Sequence, residues 1–409
     1  MIYWVPDAIP IVLTEFISHF INLFTFTTNH TNLTNKYIQI YGYSCRCLFE
    51  VLLSIFFQKS HISNKKILLY TTAYHHTSFK LIIEKYIPKE NIKILEINDF
   101  KVVAFNETEN ATVNENIINI VVVSHMFGQD LDLYNLAKKK KSNNLIIIED
   151  RVQGGGLSKK FSHDCVDMSL YSYGMDKRPV ALGGGCLYIN KNSIHQKLLL
   201  SLKNQIVETI ESLQEETRIN RFFSLANKIP TYFIYNYSWV PKYLFKFFEY
   251  IGYKQYEIID RYRKNNPGFV HNNYLKKPSV PLPKSIYENS ENYIIIESTL
   301  IKKYRIFYYG FGKEFIETFF PWIDYNNENI KIVTLYNTIF IPDIYINKFK
   351  NSMDEFRIPY YKNPTWKSID SITSNNYSKF LNNLYYLPCL YNMNNIEIKE
   401  LQDILVKLS

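Results

Sequence analysis

Two residues near the middle of the chain have the types and the setting that catalysis requires. Asp150 follows the apolar strand Leu145 to Ile148, after Glu149. It therefore lies at the carboxyl end of a strand, where open α/β sheets bind ligands. Lys177 lies in a short polar segment that contains glycine, five residues after Ser172. A lysine held in a dry pocket loses proton affinity and can form a Schiff base with an aldehyde. Taken alone, each residue is more often a solvated surface group, so the assignment depends on the surrounding pattern.

That pattern is an alternation of strands and helices between residues 37 and 190. The apolar runs predict strands at 67–70, 92–97, 117–124 and 145–149, and helices at 48–57, 78–86 and 131–140. Such alternation predicts a mostly parallel sheet with helices on both faces, and the continuous β-branched runs predict central strands buried on both sides. Two further strands, at 168–173 and 185–190, flank a glycine-bearing loop and can pair within the same sheet.

The rest of the chain predicts a second, smaller unit. The pattern is long and helical from residue 191 to about 228 and aromatic-rich through 253, and five prolines and glycines follow between 265 and 285. Such a stretch suits a domain boundary. Beyond it we expect a helix, a strand at 330–335, a helix after Asp343, a short strand at 386–390 and a terminal helix from Ile396. We therefore expect a large domain over residues 1–264, whose N-terminal segment can pack on the small domain, and a small domain over 265–409.

The polar residues occur in an order that is specific when taken together. It reads H-x-x-G, strand, E-D-x-x-Q, strand, S-x-x-x-x-K and then G-G-G, between His125 and Gly185. This order resembles the DegT-type sugar-nucleotide aminotransferase family of fold-type I pyridoxal-phosphate enzymes, and the C-terminal LYYLPCLYNMNNIEIKELQDIL resembles the closing strand, turn and helix of that family. The resemblance implies an α/β fold, with a large domain built on a mostly parallel sheet flanked by helices and a smaller C-terminal α/β domain.

The resemblance also implies the residues that hold pyridoxal 5'-phosphate. Asp150 would pair with the pyridine nitrogen and keep it protonated, and Gln153 would lie near the phenolic oxygen. Ser172 would bind the phosphate. Lys177 would carry the cofactor as a Schiff base and, once displaced, would move the proton that transamination requires.

Two further cofactor contacts are implied upstream. A turn that opens an apolar helix grips the phosphate in the family, as a helix N-terminus can, and here Ser44 and Cys45 occupy that place, with Arg46 able to add charge. A flat residue over the cofactor ring aligns with Tyr74. His75 competes with it, and a packed aromatic without a site role is the simpler alternative for either.

The sequence also departs from the family pattern. The phosphate turn is bulkier, with Tyr43 and Arg46, and Arg151 occupies a place where small or uncharged residues are common. The asparagine that family members send across the dimer interface to the partner's phosphate has no clear counterpart. Asn236 is a candidate, but it comes late and lacks the arginine that normally follows.

Composition sets limits on location and partners. The chain has 409 residues, a formal charge of +9 and a pI near 8.9, but lysine favoured by coding bias explains that charge as well as an anionic partner does. Five cysteines without CxxC spacing favour a reducing compartment and no metal site. With no basic leader and no uninterrupted apolar span, we expect a cytoplasmic protein.

Two surface features have alternative interpretations. The run Lys138 to Lys141 is read as the solvated end of a helix and not as a nucleic-acid site. The aromatic stretch from Pro230 to Tyr253 can rest on a membrane surface or pack in an interface, and interface packing is the commoner outcome.

The sequence therefore predicts an aminotransferase that moves an amino group from an amino-acid donor, glutamate by resemblance, to a keto group of a nucleotide-linked sugar. The resemblance implies a homodimer with sites at the interface. Two alternatives stay open: the same chemistry on a non-sugar carbonyl, or a non-catalytic family member that binds partners or membranes. Retention of Asp150, Gln153, Ser172 and Lys177 together weighs against the last.

Overall fold

The computed structural model describes most of the chain. The described residues are 13–24, 31–33, 36–98, 100–105, 116–128, 130–141, 144–153, 160–174, 177, 183–237, 239–253, 257, 274–278, 290–326, 337–362, 366–368 and 374–408.

Fifteen strands occur in this part of the chain. They are β1 (Thr31–Leu33), β2 (Tyr37–Gly42), β3 (Lys66–Thr72), β4 (Tyr74–His76), β5 (Ile92–Leu95), β6 (Ile97–Asn98), β7 (Val102–Val103), β8 (Ile117–Ser124), β9 (Leu145–Asp150), β10 (Met168–Ser172), β11 (Gly185–Asn190), β12 (Asn337–Phe340), β13 (Tyr361–Lys362), β14 (Trp366–Ser368) and β15 (Leu384–Leu387).

Thirteen α-helices occur in the same residues. They are α1 (Leu13–Ile21), α2 (Cys45–Ile62), α3 (Thr77–Tyr86), α4 (Tyr134–Lys140), α5 (Gln196–Ser212), α6 (Arg218–Ala226), α7 (Ile229–Asn236), α8 (Trp239–Tyr250), α9 (Ser290–Tyr309), α10 (Lys313–Phe319), α11 (Ile346–Glu355), α12 (Ser374–Asn382) and α13 (Asn395–Val406). Short 3-10 turns lie at Asn22–Phe24, Lys89–Asn91 and Asp343–Tyr345. None of the helices described here is both long and apolar enough to cross a bilayer.

Eight strands form the central sheet, in the order β1-β2-β11-β10-β9-β8-β3-β5. The five from β10 to β5 run parallel, whereas β11 is antiparallel to both of its neighbours and β1 is antiparallel to β2. The predicted mostly parallel α/β sheet is confirmed, and so is the predicted pairing of the strands on either side of the glycine loop.

The apolar strands are buried because both faces of the sheet are covered. Ile120 and Val122 of β8 pack in a cluster with α2, α3 and α5, while Val121 and Val123 pack in a cluster with the C-terminal helices. Side chains alternate along a strand, so an uninterrupted apolar run is what a doubly covered strand needs. Burial of one such side chain stabilises the fold by about 1.5–3 kcal/mol.

The C-terminal part forms a small antiparallel sheet in the order β12-β15-β13. The terminal helix begins at Asn395, where the Asn394 and Glu397 side chains cap it reciprocally. Strand β14 pairs instead with β4, so that the backbone of Trp366 lies opposite His76. The strand predicted at 330–335 and the proposed domain boundary at 264–265 lie outside the described residues, and the division into two domains stays a prediction.

Candidate active site

The carboxyl ends of the parallel strands open into a cavity of about 380 Å³. The last residues of β8, β9 and β10, which are Ser124, Asp150 and Ser172, line it together with the N-terminus of α2. This is the edge of the sheet at which α/β proteins bind ligands. Six of the seven predicted site residues line this cavity: Ser44, Cys45, Asp150, Gln153, Ser172 and Lys177.

Asp150 lies in the floor of the cavity. Strand pairing holds its backbone between Ser124 of β8 and Leu170 of β10, and its Oδ1 accepts a hydrogen bond from the Val152 N–H at 3.0 Å. Only 4% of the residue is exposed. Burial raises the pKa of Asp150 from 3.8 to about 6, although the Val152 N–H and the charge of Lys177 act in the opposite direction. A protonated nitrogen placed beside this carboxylate would therefore be strongly favoured.

A buried ionic network supports that floor. The His125 Nε2 lies 3.0 Å from the Glu149 Oε2, and the His125 Nδ1 accepts from the Leu131 N–H at 2.9 Å, so the ring proton sits on Nε2. Arg151 joins the network through ion pairs to Asp130 at 2.9 Å and to Glu149 at 3.6 Å. Burial would raise the pKa of Glu149, but the His125 hydrogen bond and the Arg151 charge outweigh it and leave the pKa lowered. Arg151, a departure from the family pattern, thus pairs with Glu149, the residue before Asp150 in β9.

The N-terminus of α2 forms one end of the cavity. Ser44 caps the helix in extended conformation, and its Oγ accepts from the Cys47 N–H at 3.1 Å. The amides of a first helical turn lack intrahelical acceptors and attract anions. Gly184 is bridged to Ser44, and a Cβ on Gly185 would lie 2.3 Å from the Cys45 nitrogen. The glycines therefore allow β11 to approach this turn closely.

Ser172 and Lys177 both line the wall between β10 and the glycine loop. The Lys177 backbone N–H donates to the Gly174 carbonyl at 3.0 Å, which ties Lys177 to a residue just beyond the end of β10. The charge of Lys177 acts on both Asp150 and Cys45, so the three share one electrostatic environment. Gln153 brings an enclosed Oε1 for which the described residues provide no hydrogen-bond partner.

Comparison with known proteins bears on the fold. No family model matches the sequence, and none of the curated proteins matches it. Among solved structures, PseC of Helicobacter pylori, an aminotransferase involved in the biosynthesis of pseudoaminic acid, matches with a TM-score of 0.59 and 10% identity over 99% of each chain. Spr1654 from Streptococcus pneumoniae, described as a sugar aminotransferase and solved in its pyridoxal-phosphate form, matches with a TM-score of 0.59 and 10% identity over 100% of each chain. The GDP-4-keto-6-deoxymannose-3-dehydratase ColD matches with a TM-score of 0.53 and 12% identity, over 90% of this chain and 88% of its own.

The chain has the fold of the DegT-type sugar aminotransferases. Identities of 10–12% establish the fold of type I aminotransferases and not the reaction, and one of the matching DegT-type structures is a dehydratase.

Within this DegT-type fold Tyr74 does not line the cavity. It is 1% exposed and packs in the core cluster that includes the C-terminal helices. His75 is fully buried, with its Nε2 2.7 Å from the Thr71 Oγ1, and also lies outside the lining. The position of Tyr74 thus argues against its predicted role over the cofactor ring.

His76 and Phe79 line the cavity instead. Strand β3 runs to Thr72, two residues beyond the predicted end, and helix α3 begins at Thr77. His76 is the N-cap of that helix, where its Nδ1 accepts from the Ser78 N–H at 3.2 Å. The Thr77-Ser78 pair at the helix start was the sequence signal that could have identified His76.

Helix α6 supplies residues that the sequence did not suggest. Arg221, Ser224 and Lys228 line the cavity from one face of α6 and the turn after it. Their spacing of three and four residues places polar groups on one helical face, which was the available signal. Asn236, the candidate for the cross-subunit contact, does not line this cavity, and its Nδ2 donates to the Tyr232 carbonyl at 2.8 Å.

The described lining has a strong charge asymmetry. Asp150 is its one carboxylate, and its permanent cations are Arg46, Lys177, Arg221 and Lys228. Such a site suits a ligand that carries phosphate or carboxylate groups and one protonated nitrogen.

Proposed function

We propose that this chain is a pyridoxal-phosphate-dependent aminotransferase that moves an amino group from an amino-acid donor, glutamate by resemblance, to a keto group of a nucleotide-linked sugar. The observation that carries the proposal is the convergence of Asp150, Gln153, Ser172, Lys177 and the N-terminus of α2 on one cavity. These groups are separated in sequence, and the fold brings them to one edge of the sheet.

The residues present fit the cofactor. The Gln153 Oε1 and the Arg221 Nε are enclosed in the wall and find no hydrogen-bond partner in the part of the chain that the structure describes, and buried polar atoms of this kind normally have one. The lone buried carboxylate suits a pyridinium nitrogen, and the helix N-terminus with its cations suits a phosphate. Pyridoxal phosphate combines both groups in one molecule.

Each residue then has a distinct task. Asp150 would hold the pyridine nitrogen in its protonated form, and Ser172 and the amides of Ser44 and Cys45 would hold the phosphate. The Ser44 Oγ already accepts from Cys47 and keeps its own hydrogen to donate. When bound, the cofactor supplies a carbonyl for the amine and a ring that accepts electrons.

Lys177 would anchor the cofactor and serve as the acid and base. Its amine would then be the group that holds and moves the proton that transamination requires. His76, which lines the cavity at the start of α3, would contact the cofactor ring in place of Tyr74.

The acceptor and the assembly belong to the same proposal. The cations Arg46 and Lys228, which also line the cavity, would attract the diphosphate of a nucleotide-linked sugar. Exposed apolar residues on α6 to α8 form a surface that we propose a second copy covers, giving a homodimer; they include Phe222, Phe223, Phe233, Trp239 and Phe247. No disulfide joins any of the five cysteines, which is consistent with the cytoplasm.

The first test is a spectrum of the purified protein with pyridoxal phosphate before and after borohydride reduction. We expect a visible band in the wild type, and a pyridoxyl group fixed at Lys177 after reduction. Lys177→Ala should show neither, while Lys160→Ala, which alters a lysine outside the cavity lining, should behave as the wild type. A wild type without the band would refute the cofactor assignment.

The second test addresses the acceptor. With glutamate as donor, turnover should require a keto sugar carrying its nucleotide, and simple keto acids should give none. Equal rates with the nucleotide-linked keto sugar and with simple keto acids would favour an aminotransferase that acts on a non-sugar carbonyl. Sedimentation should give a dimer that Phe223→Asp dissociates, whereas binding of the monomer to anionic vesicles would favour a membrane-facing role for this surface.

A further inference from the structure

Arg221 occupies an unusual position on α6. Its backbone N–H donates to the carbonyl of the N-cap Thr217 at 3.0 Å, so the residue lies in the first turns of the helix. Its side chain extends across the glycine loop, where a Cβ on Gly183 would lie 2.8 Å from the Arg221 Nη1. Gly183 has φ +137°, a conformation that side chains rarely adopt. The backbone therefore favours glycine at this place, and the absence of a side chain leaves room for the guanidinium beside it.

The same loop leads directly to the N-terminus of α2. Gly184, the next residue, is bridged to Ser44, and Gly185 lies against the backbone of Ser44 and Cys45. The Arg221 guanidinium and the first turn of an 18-residue helix therefore border the same corner of the cavity. Two independent features that attract anions meet at this point.

The guanidinium is not fully satisfied by the protein. The Arg221 Nε is enclosed, and none of the residues that the structure describes accepts a hydrogen bond from it. The nearby acid is Glu216, which is 5% exposed and receives a hydrogen bond from the Tyr43 hydroxyl at 3.4 Å. Burial lowers the pKa of Arg221 while the Glu216 charge opposes that effect. An enclosed donor beside a helix N-terminus needs an acceptor with several oxygens, which a phosphate supplies.

We propose that Arg221 binds the phosphate group of the cofactor from within the same chain. The inference rests on the proposed function, and it differs from the resemblance, which assigns one phosphate contact to the partner subunit. Each subunit would then complete its own phosphate site through α6.

The proposal predicts a selective loss of affinity. Arg221→Ala should weaken pyridoxal phosphate binding about tenfold to a hundredfold, the value expected for lost charge-assisted hydrogen bonds. Binding of pyridoxal, which lacks the phosphate, should not change. Arg221→Lys should retain part of the affinity as a point charge. Arg218→Ala, on the exposed side of the same helix, is the matched control and should bind both ligands as the wild type does.

Absorbance titration with the two ligands separates the outcomes. If Arg221→Ala binds pyridoxal phosphate normally but its KM for donor or acceptor rises, Arg221 contacts the substrate and the proposal is wrong. If the variant loses pyridoxal and pyridoxal phosphate equally, the residue supports the cavity and not the phosphate, which also overturns it. Failure of the proposed function is distinguishable, because the wild type itself would then show no band with either ligand.

A mixing experiment tests whether the contact is made within one chain. Lys177→Ala and Arg221→Ala chains, carrying different tags, are co-expressed and the mixed assembly is isolated. Contact within the chain predicts no tightly binding site, because neither chain has both residues. If Arg221 reached the partner's site, half of the sites would regain wild-type affinity for pyridoxal phosphate, and that result would overturn the proposal.

Discussion

Asp150 is expected to weaken the fold of the cofactor-free protein. Because burial raises its pKa from 3.8 to about 6, the folded protein holds the proton more tightly than the unfolded chain does. The ionised form therefore costs about 3 kcal/mol of stability at pH 8 and about 1.5 kcal/mol at pH 5. The cost shrinks as the pH falls from 6 to 3.8 and disappears only below about pH 3, where the carboxyl is protonated in both states.

Asp150→Asn removes the ionisable group and keeps the acceptor for the Val152 N–H. We expect the cofactor-free variant to unfold at higher urea concentration than the wild type at pH 8, by the equivalent of about 3 kcal/mol. The difference should narrow as the pH falls through 6. The variant should gain stability without the cofactor but lose affinity for it. Pyridoxal phosphate should therefore stabilise the wild type more than the variant, because only a carboxylate can form an ion pair with a pyridinium nitrogen.

Glu149→Gln is the control, because this substitution should lower the free energy of unfolding at pH 8 where Asp150→Asn should raise it. Its lowered pKa means that the ionised form stabilises the fold above pH 4.5, and that this contribution is lost as the pH falls through the folded-state pKa. The variant should be less stable than the wild type at pH 8, by about 1–3 kcal/mol, because His125 and Arg151 lose a charged acceptor while Arg151 keeps its ion pair with Asp130. Urea unfolding followed by circular dichroism at pH 5, 7 and 8 gives the free energy of unfolding of both variants and of the wild type. An Asp150→Asn protein that is less stable than the wild type at pH 8, or a gain independent of pH, would refute the reasoning.

Two further substitutions test the packing around the site. Gly185→Ala should abolish pyridoxal phosphate binding in an absorbance titration, because the new Cβ would lie 2.3 Å from the Cys45 nitrogen. In the control Gly312→Ala the new Cβ meets nothing within 4 Å, so this variant should bind the cofactor normally. Equal binding by the two variants would show that the turn at Cys45 can move. Lys140→Ala should lower the free energy of unfolding by about 3–5 kcal/mol, because it leaves Asp167 buried without the ion pair now made at 2.5 Å. A change below about 1 kcal/mol in urea unfolding would mean that this pair acts like an exposed one.

The periodicity of the sequence was sufficient for the sheet. The runs in β8 and β9 have apolar residues at consecutive positions, and a strand covered on both faces is the structure that buries all of them. The site residues at strand ends could be predicted for the same reason. Asp150 and Ser172 close their strands, and the carboxyl ends of parallel strands meet at one edge whatever the loops do.

Residues that are positioned by packing between distant segments could not be predicted in this way. Tyr74 and His76 differ by two positions, and which of them reaches the cavity depends on the pairing of β4 with β14, almost 300 residues away in the chain. Arg221 reaches the cavity because α6 packs beside the glycine loop, where its guanidinium lies next to Gly183. The sequence by itself determined the alternating sheet and the chemistry at its strand ends, since both follow from local periods. Only the tertiary structure decided which ring and which cation complete the site, because those choices depend on contacts between segments that no local pattern encodes.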